Sequence, residues 1–249
     1  MLIREARRPP LSWAGHMQSI RHRWALPVHA FEWSCDWIAY WLSRWAFLEV
    51  LEYLGALSVL FAVIFYVSEA GDRREQKHYQ AWQVINTAQG KGGSGGRIEA
   101  LEELNADGVA LVGVDVDGAF LQGVHLKKAG MARANLNAVD ARDSHFELSD
   151  LSYANLTSAN FRHGDFSRAN LEHADLGDAY LVGATLAGAK LGGANLKSAD
   201  LTNCDLSGVV WQGIESMQSA NVFSVRNAPA GFLDWARAHG AVEKDDGDR

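Results

Sequence analysis

The residues of this chain that could do chemistry are scattered along it, and none stands in a recognised catalytic pattern. His125 and His145 lie 20 residues apart, and Asp165 and Asp205 continue that spacing. Imidazole and carboxylate groups are common metal ligands. The sequence contains no Ser/His/Asp triad order, no HExxH motif and no CxxC motif. We therefore predict that the protein is not an enzyme and has no catalytic residue.

A glycine-rich stretch, GKGGSGG (90–96), contains the spacing GxGxxG at Gly90, Gly92 and Gly95. The dinucleotide-binding fingerprint needs a strand before its glycines and a helix that closes a βαβ unit. Here the preceding residues 72–89 are charged and then apolar, which favours a helix instead. We interpret the glycines as a flexible linker and expect no nucleotide and no other cofactor.

The element that must position most of these side chains is a run with a period of five. From residue 109 to 213 every fifth residue is apolar and, with the exception of Ala141, large; 14 of these 21 centres are Leu and three are Phe. The residue two before the centre is Ala in 12 of the 21 pentapeptides. A period of five fits neither a helix nor a strand, so the run is an internal repeat, which is typical of a solenoid.

This run, with its successive pentapeptides ANLTS, ANFRH, GDFSR and ANLEH, resembles the pentapeptide-repeat family, whose consensus is A(D/N)LXX. The resemblance implies an all-β fold, a right-handed parallel β-helix in which four pentapeptides make one square coil. In that fold the centre and the small residue two before it point inward. The resemblance implies about five coils, a solenoid on the order of 25 Å long.

With four pentapeptides per coil, centres separated by four pentapeptides should stack. Phe146 would then lie against Phe166, and Phe161 would fill part of the space beside the small centre Ala141. Cys204 falls at an inward small position, where we expect a buried small apolar side chain rather than a reactive thiol.

The same register puts His125 and His145 in one outward column with Asp165 and Asp205. A weak metal site is conceivable there. We favour a polar surface column and predict no metal.

The residues before the repeat contain an apolar segment long enough to cross a bilayer. Tyr53 to Ser68 carries no charge, and the apolar character extends back to Phe47. We predict a single transmembrane helix over 47–68. The alternative is a long buried helix of a soluble protein, but a narrow solenoid offers little surface to bury it.

A basic, Trp-rich segment (1–46) precedes the predicted span. Its tryptophans recur every four residues, which gives a slowly turning stripe on one helix face. Indole rings favour the membrane–water interface, so we interpret the stripe as membrane-lipid anchors. The alternative is a packing face against another helix. The stripe consists of Trp33, Trp37, Trp41 and Trp45.

Small residues on one face of the predicted span would let two such helices approach closely. Gly55, Ser58 and Ala62 share this face, and Glu52 lies one turn earlier. The arrangement is consistent with a homo-oligomer. The alternatives are scattered small residues in a single span and a Glu52 carboxylate at the headgroup level.

Charge close to the span gives its expected orientation. Arg44 is the one basic residue just before it, whereas Arg73, Arg74 and Lys77 follow it. Basic residues near a span favour the cytoplasmic side, so we expect a bacterial inner-membrane protein with a cytoplasmic repeat. The six Lys/Arg of the whole N-terminal segment favour the opposite orientation.

The remaining segments complete the domain organisation. Residues 69–96 are predicted to be a juxtamembrane helix and the glycine-rich linker. Residues 97–108 would form an N-terminal cap helix on the repeat (109–213), and 214–249 a C-terminal cap and acidic tail. Caps are expected because bare ends of stacked coils would pair with other chains.

A narrow solenoid without a cleft favours a structural or protein-interaction role with an unknown protein partner. The smoothest outward residues, the predicted partner surface, are Val182, Gly183, Ala187, Gly188, Gly192 and Gly193. One alternative is DNA mimicry, because gyrase-protecting members of the family resemble acidic rods. The repeat carries 12 Asp/Glu against 8 Lys/Arg, which is mildly acidic, so a nucleic-acid enzyme is the less favoured partner. A second alternative is a subunit of a membrane channel or transporter.

Overall fold

The computed structural model describes residues 8–17, 26–43, 46–87 and 94–245. The chain divides into an N-terminal unit, residues 1–73, and a repeat unit, residues 74–249. Its helices are α1 (Trp13–Met17), α2 (Leu26–Ser43), α3 (Ala46–Thr87), α4 (Arg97–Ala106) and α5 (Phe232–Ala238). The boundary between the units falls inside α3.

The repeat folds into stacked coils joined by single-residue parallel bridges, and within the described residues no longer strand forms. Most bridges join equivalent residues of successive coils, four pentapeptides apart, as in Asp115 with Asn135 and Thr185 with Asp205. Backbone hydrogen bonds flank the bridges, for example from the amide of Leu111 to the carbonyl of Gly130 at 2.8 Å. This register confirms four pentapeptides per coil.

Each pentapeptide ends in a tight turn that forms a corner of the coil. The amide of Val114 donates to the carbonyl of Leu111 at 3.1 Å, which closes a four-residue turn. The second corner residue has a positive φ, for example 60° at Arg133 and 58° at Tyr153. A positive φ at this position alone is the signature of a type II turn.

Asp and Asn recur before the centre because their side chains hold these corners. The Oδ1 atom of Asp175 accepts the amide of Gly177 at 3.0 Å, within the same corner. The same Oδ1 accepts Nδ2 of Asn195, one coil later, at 2.8 Å. The outward carboxamides and carboxylates therefore link corners within a coil and coils to each other.

The interior of the repeat is filled by side chains. All centres from Leu111 to Leu206 are buried. Phe146 and Phe166 stack with ring centres 5.2 Å apart, and the ring of Phe161 meets both edge-on. The predicted stacking of Phe146 against Phe166 is confirmed.

The N-terminal cap is thicker than the single helix predicted for 97–108. In α4, Leu101 and Leu104 are fully buried, and the end of α3 adds the buried Ala81 and Ile85 to the same core. From residue 74 onward the predicted juxtamembrane helix is thus part of the repeat unit, because its buried residues Ala81 and Ile85 join the core of that unit. The linker residues 88–93 lie outside the described part of the chain, between two helices of one unit.

The coils continue beyond residue 213, where the period of five is lost in the sequence. Asn195 pairs with Ser216 rather than with Glu215, so one residue is inserted just after Trp211. The coil then resumes with the buried centres Met217 and Val222 and runs to a bridge at Arg226. An insertion shifts the pattern by one residue and hides the continuing repeat from a fixed five-residue frame.

The helix α5 covers the C-terminal end of the coils. It begins directly after Gly231, whose φ is 83°. Its Phe232 is 1% exposed and meets the ring of Trp211 edge-on at 5.8 Å. A bridge from Val242 to Asn221 covers part of the last edge. The acidic tail 246–249 lies outside the described residues.

The N-terminal unit exposes its apolar residues instead of burying them. The stretch Tyr53–Thr87 of α3 is the one described helix long and apolar enough to cross a membrane, by length and composition alone. Its most apolar window has a mean hydropathy of 1.8 and is not buried. Tyr53 is 77% exposed and Val67 66%.

Candidate binding surfaces

The six residues predicted as a flat contact surface lie on three successive corners of one coil. Because four pentapeptides close a coil, the chain makes a quarter turn at each corner. The first corner, Val182 and Gly183, is therefore diagonally opposite the third, Gly192 and Gly193. The structure does not bring the six residues onto one face, and all of them are half-buried, including Ala187 and Gly188 at the middle corner. Their role in partner binding stays a prediction.

Two of these corner glycines are approached by histidine rings from the coil before. A Cβ atom added at Gly183 would stand 2.7 Å from Nδ1 of His163, and one added at Gly193 would collide with the ring of His173. Both glycines also have a positive φ, 68° and 70°. Glycine at these corners makes room for the rings, so the surface displays imidazole there.

A different face combines exposed aromatic rings with arginines, and we call it the aromatic face. Its outward column contains Phe120, 49% exposed, and Tyr180, 48% exposed, three coils apart. The guanidinium of Arg162 lies 5.8 Å from the centre of the Tyr180 ring. At the same corner one coil earlier, Arg142 donates two hydrogen bonds to Asp140, which raise the pKa of that guanidinium.

An aromatic stack occupies a separate corner column. The ring of Tyr153, 57% exposed, stacks on His173 with centres 4.8 Å apart. The guanidinium of Arg133 lies 5.9 Å from the Tyr153 ring on the coil before. Tyr153 and Tyr180 are thus two similarly exposed tyrosines at different positions around the coil.

The histidine column predicted from the register is present, and one further residue, Glu147, lies beside it. His125 and His145 stack with ring centres 4.5 Å apart and planes 3° from parallel. Potential ligand atoms of His145, Glu147 and Asp165 all lie within 4.8 Å of one another. The column did not predict Glu147, because this residue stands at a corner beside it. Asp205, two coils further, is not in this group.

The two cysteines differ in environment. Cys204 is fully buried, its thiol donates to the carbonyl of Leu181 at 2.8 Å, and burial raises the pKa of this thiol. The expectation of a buried small side chain is confirmed. Cys35, on α2, is exposed.

The tryptophan stripe packs partly within its own unit. The indole N–H of Trp33 donates to the carbonyl of Leu11 at 2.8 Å, and its ring meets Trp13 edge-on at 5.3 Å. Trp33 therefore contacts α1, which was the alternative interpretation, while an interfacial role stays a prediction. The other members are the half-buried Trp37, the 69% exposed Trp41, and Trp45, which lies outside the described residues.

The small residues of the predicted span lie on an open helix surface. No atom stands within 4 Å of a Cβ added at Gly55, and Ala62 is exposed. The hydroxyl of Ser58 donates to the carbonyl of Gly55 at 2.8 Å, within its own helix. The side chain of Glu52 is outside what the structure describes. Helix–helix packing at this face remains a prediction.

Several solved structures of pentapeptide-repeat proteins are similar to this chain. One, from the thylakoid lumen of Arabidopsis thaliana, is 20% identical, with a TM-score of 0.37 over 56% of this chain and 82% of that protein. Rfr23 from the cyanobacterium Cyanothece is 31% identical, with a TM-score of 0.22 over 40% and 65%. HetL from the cyanobacterium Nostoc, involved in heterocyst differentiation regulation, is 29% identical, with a TM-score of 0.22 over 45% and 59%.

The sequence comparison with protein families gives a defined match inside the coils. No curated protein matches the chain. Residues 119–196, however, match the family profile described as "Pentapeptide repeat region". These residues have the four-pentapeptide register, the buried centres and the corner turns described above. The chain therefore contains a pentapeptide-repeat region, as the resemblance of its pentapeptides to that family implied.

Proposed function

We propose that this protein is a membrane-anchored, non-enzymatic interaction module whose repeat region binds a protein partner. The observation that carries the proposal is the unburied apolar surface of α3 in a chain whose repeat region buries its apolar centres. Leu57, Phe61 and Ile64 are each about half exposed. An apolar surface of this extent on a soluble monomer is unusual and marks an interaction with lipid or protein.

A lipid bilayer is the environment that fits this surface best. Residues 47–68 form 22 residues of helix, roughly 33 Å at 1.5 Å per residue, which matches the hydrocarbon thickness of a bilayer. The exposed ring of Trp41, which precedes the span, suits the headgroup region at one end. We place the protein in a bacterial inner membrane with the repeat in the cytoplasm, in keeping with Arg73, Arg74 and Lys77 after the span.

The repeat region supports binding rather than catalysis. Its interior is occupied by Leu, Phe and Ala side chains, and small-molecule sites are usually concave. Backbone hydrogen bonds join each coil to the next, so little conformational entropy remains to be lost when a partner docks.

The aromatic face is the partner surface that we propose. Tyr and Arg are enriched in the energetically dominant centres of protein interfaces, and Tyr180 and Arg162 lie together there. Val182 and Gly183 of the surface predicted from sequence belong to the adjoining corner. The arginines at positions 142 and 162 also interrupt the negative surface that a DNA mimic requires, which makes this alternative the weaker one.

Site-specific photo-cross-linking of the full chain tests the proposal. A benzophenone amino acid is placed at position 180 and, as a matched control, at position 153, and the cells that naturally produce the protein are irradiated. We expect position 180 to cross-link to one membrane-associated protein, and we expect this product to be missing when the benzophenone is at position 153. The same products from both positions, or cross-links from neither, would contradict the proposed surface.

A further inference from the structure

We propose that His145, Glu147 and Asp165 form a binding site for a divalent transition-metal ion of the zinc type. The three residues come from two coils, with His145 and Glu147 on one and Asp165 directly below His145 on the next. This site is independent of the partner surface proposed above.

The spacing of the ligand atoms fits an ion better than a direct contact. Nδ1 of His145 and Oε1 of Glu147 are 3.7 Å apart, which is too long for a hydrogen bond. Tetrahedral bonds of about 2.1 Å to nitrogen and oxygen place two ligand atoms roughly 3.4 Å apart. All three ligand groups lie within 4.8 Å of one another, so shifts of a fraction of an ångström to about 1 Å would complete the geometry.

A second observation at the same place is an unsatisfied carboxylate oxygen. Oε2 of Glu147 is buried and has no hydrogen-bond partner among the described residues. A buried polar atom without a partner is costly, and an ion or a water molecule is a common explanation. A cation bound by both oxygens of this carboxylate would neutralise its charge and give Oε2 the partner that it lacks among the described residues.

The surroundings of the site favour one class of metal. The ring of His125 stacks on His145 and restricts its orientation, which reduces the entropy lost on binding. Imidazole suits Zn²⁺, Co²⁺ and related ions, whereas Mg²⁺ and Ca²⁺ prefer oxygen ligands in larger number. The three side chains are half-buried, so a water molecule would complete the coordination.

The test uses the full chain in detergent, without a histidine tag and after treatment with a chelator. Cobalt absorption spectra and competition with zinc are recorded for the natural protein and for Asp165→Asn. The amide of Ser167 donates to Oδ1 of Asp165 at 2.8 Å, and Asn retains this acceptor while it removes the negative charge. Asp205→Asn is the matched control, because Oδ1 of Asp205 accepts the amide of Ser207 at 2.9 Å in the same column.

We expect one Co²⁺ per chain, displaced by Zn²⁺ and not by millimolar Mg²⁺, with an affinity at least about tenfold lower in Asp165→Asn. Asp205→Asn should bind like the natural protein. Glu147→Gln, whose buried Oε2 has no hydrogen bond to lose, should weaken binding similarly. Absence of a cobalt spectrum in the natural protein, or equal affinities for the two Asp→Asn variants, would overturn the proposal.

Discussion

Leu60 and Leu186 are the same residue type in the two units of this chain, yet Leu60 is 54% exposed and Leu186 is 1% exposed. The contrast extends through both units. In the repeat unit the large apolar centres face inward and touch centres of the neighbouring coils. Along α3 in the N-terminal unit, apolar side chains surround the helix and are exposed on every side from Tyr53 to Val67.

The difference shows that hydrophobic content alone does not define the role of a segment. A side chain at every fifth position can be buried by the chain itself, because the chain returns to the same side one coil later. A helix that is apolar all round, and whose apolar side chains are exposed among the described residues, needs an apolar environment outside the helix itself. The repeat unit is thus expected to depend on internal packing, and the N-terminal unit on lipid.

The largest difference in the free energy of unfolding between the two units is expected when a stacked core ring is removed. Phe166→Ala removes a ring that contacts both Phe146 and Phe161 and should destabilise the protein by about 3–5 kcal/mol. Leu60→Ala, on the exposed surface of α3, should change stability by less than about 1 kcal/mol. Urea unfolding of the full chain in detergent, followed by circular dichroism, measures both. Equal decreases in the free energy of unfolding for Phe166→Ala and Leu60→Ala would show that the two units do not differ in packing as described.

A smaller change in stability is expected when a methyl group is added to a glycine of the repeat, and its sign depends on the space around that glycine. A Cβ added at Gly164 would stand 3.1 Å from both the carbonyl of Phe161 and the ring of Phe166. Gly164→Ala should therefore cost about 1–3 kcal/mol through overpacking. At Gly130 no atom lies within 4 Å of the added Cβ, so Gly130→Ala should stabilise by about 0.4–1 kcal/mol. Thermal unfolding of both variants checks the sign, and two changes of the same sign would be inconsistent with this packing.

The reactivity of the two thiols tests the packing around a single side chain in each unit, with no expected change in overall stability. Cys204 should react with a maleimide at least about 100-fold more slowly than Cys35 in the native protein, because it is buried and its thiolate is disfavoured. The rates are measured separately in Cys35→Ser and Cys204→Ala in detergent. Urea should abolish the difference. Comparable rates in the native state would mean that the coils open readily around Cys204.

The sequence predicts the repeat well because each pentapeptide follows the same local rule. The five-residue period indicates which residues are buried, and the family resemblance supplies the four-pentapeptide coil that stacks Phe146 on Phe166. The insertion after Trp211 is not predicted, because the prediction rests on a fixed spacing of five residues. One inserted residue moves Met217 and Val222 out of that spacing, although both still point inward. A frame allowed to shift by one residue would find them.

Contacts between segments far apart in sequence are predicted less well. Ala81 and Ile85 are spaced for one helix face, but the amino-acid pattern does not say that this face joins the core of the repeat unit. Glu147, at the metal site that we propose, is not predicted from the sequence because it stands at a corner and not in the histidine column. The predicted partner surface does not form one face, because its three pairs of residues come from successive pentapeptides of one coil. Successive pentapeptides occupy neighbouring corners, so the first and third pairs lie on opposite corners.

Flotation of the full chain with liposomes tests the membrane anchor most directly. We expect the protein to rise with the vesicles and to stay bound after a carbonate wash. Leu60→Arg should reduce the bound fraction, since a charge at the centre of a span costs about 2.5–3.5 kcal/mol. Leu148, on the repeat, is 44% exposed, and Leu148→Arg should leave the bound fraction unchanged. A natural protein that remains at the bottom of the gradient as a monodisperse soluble species would contradict the membrane anchor.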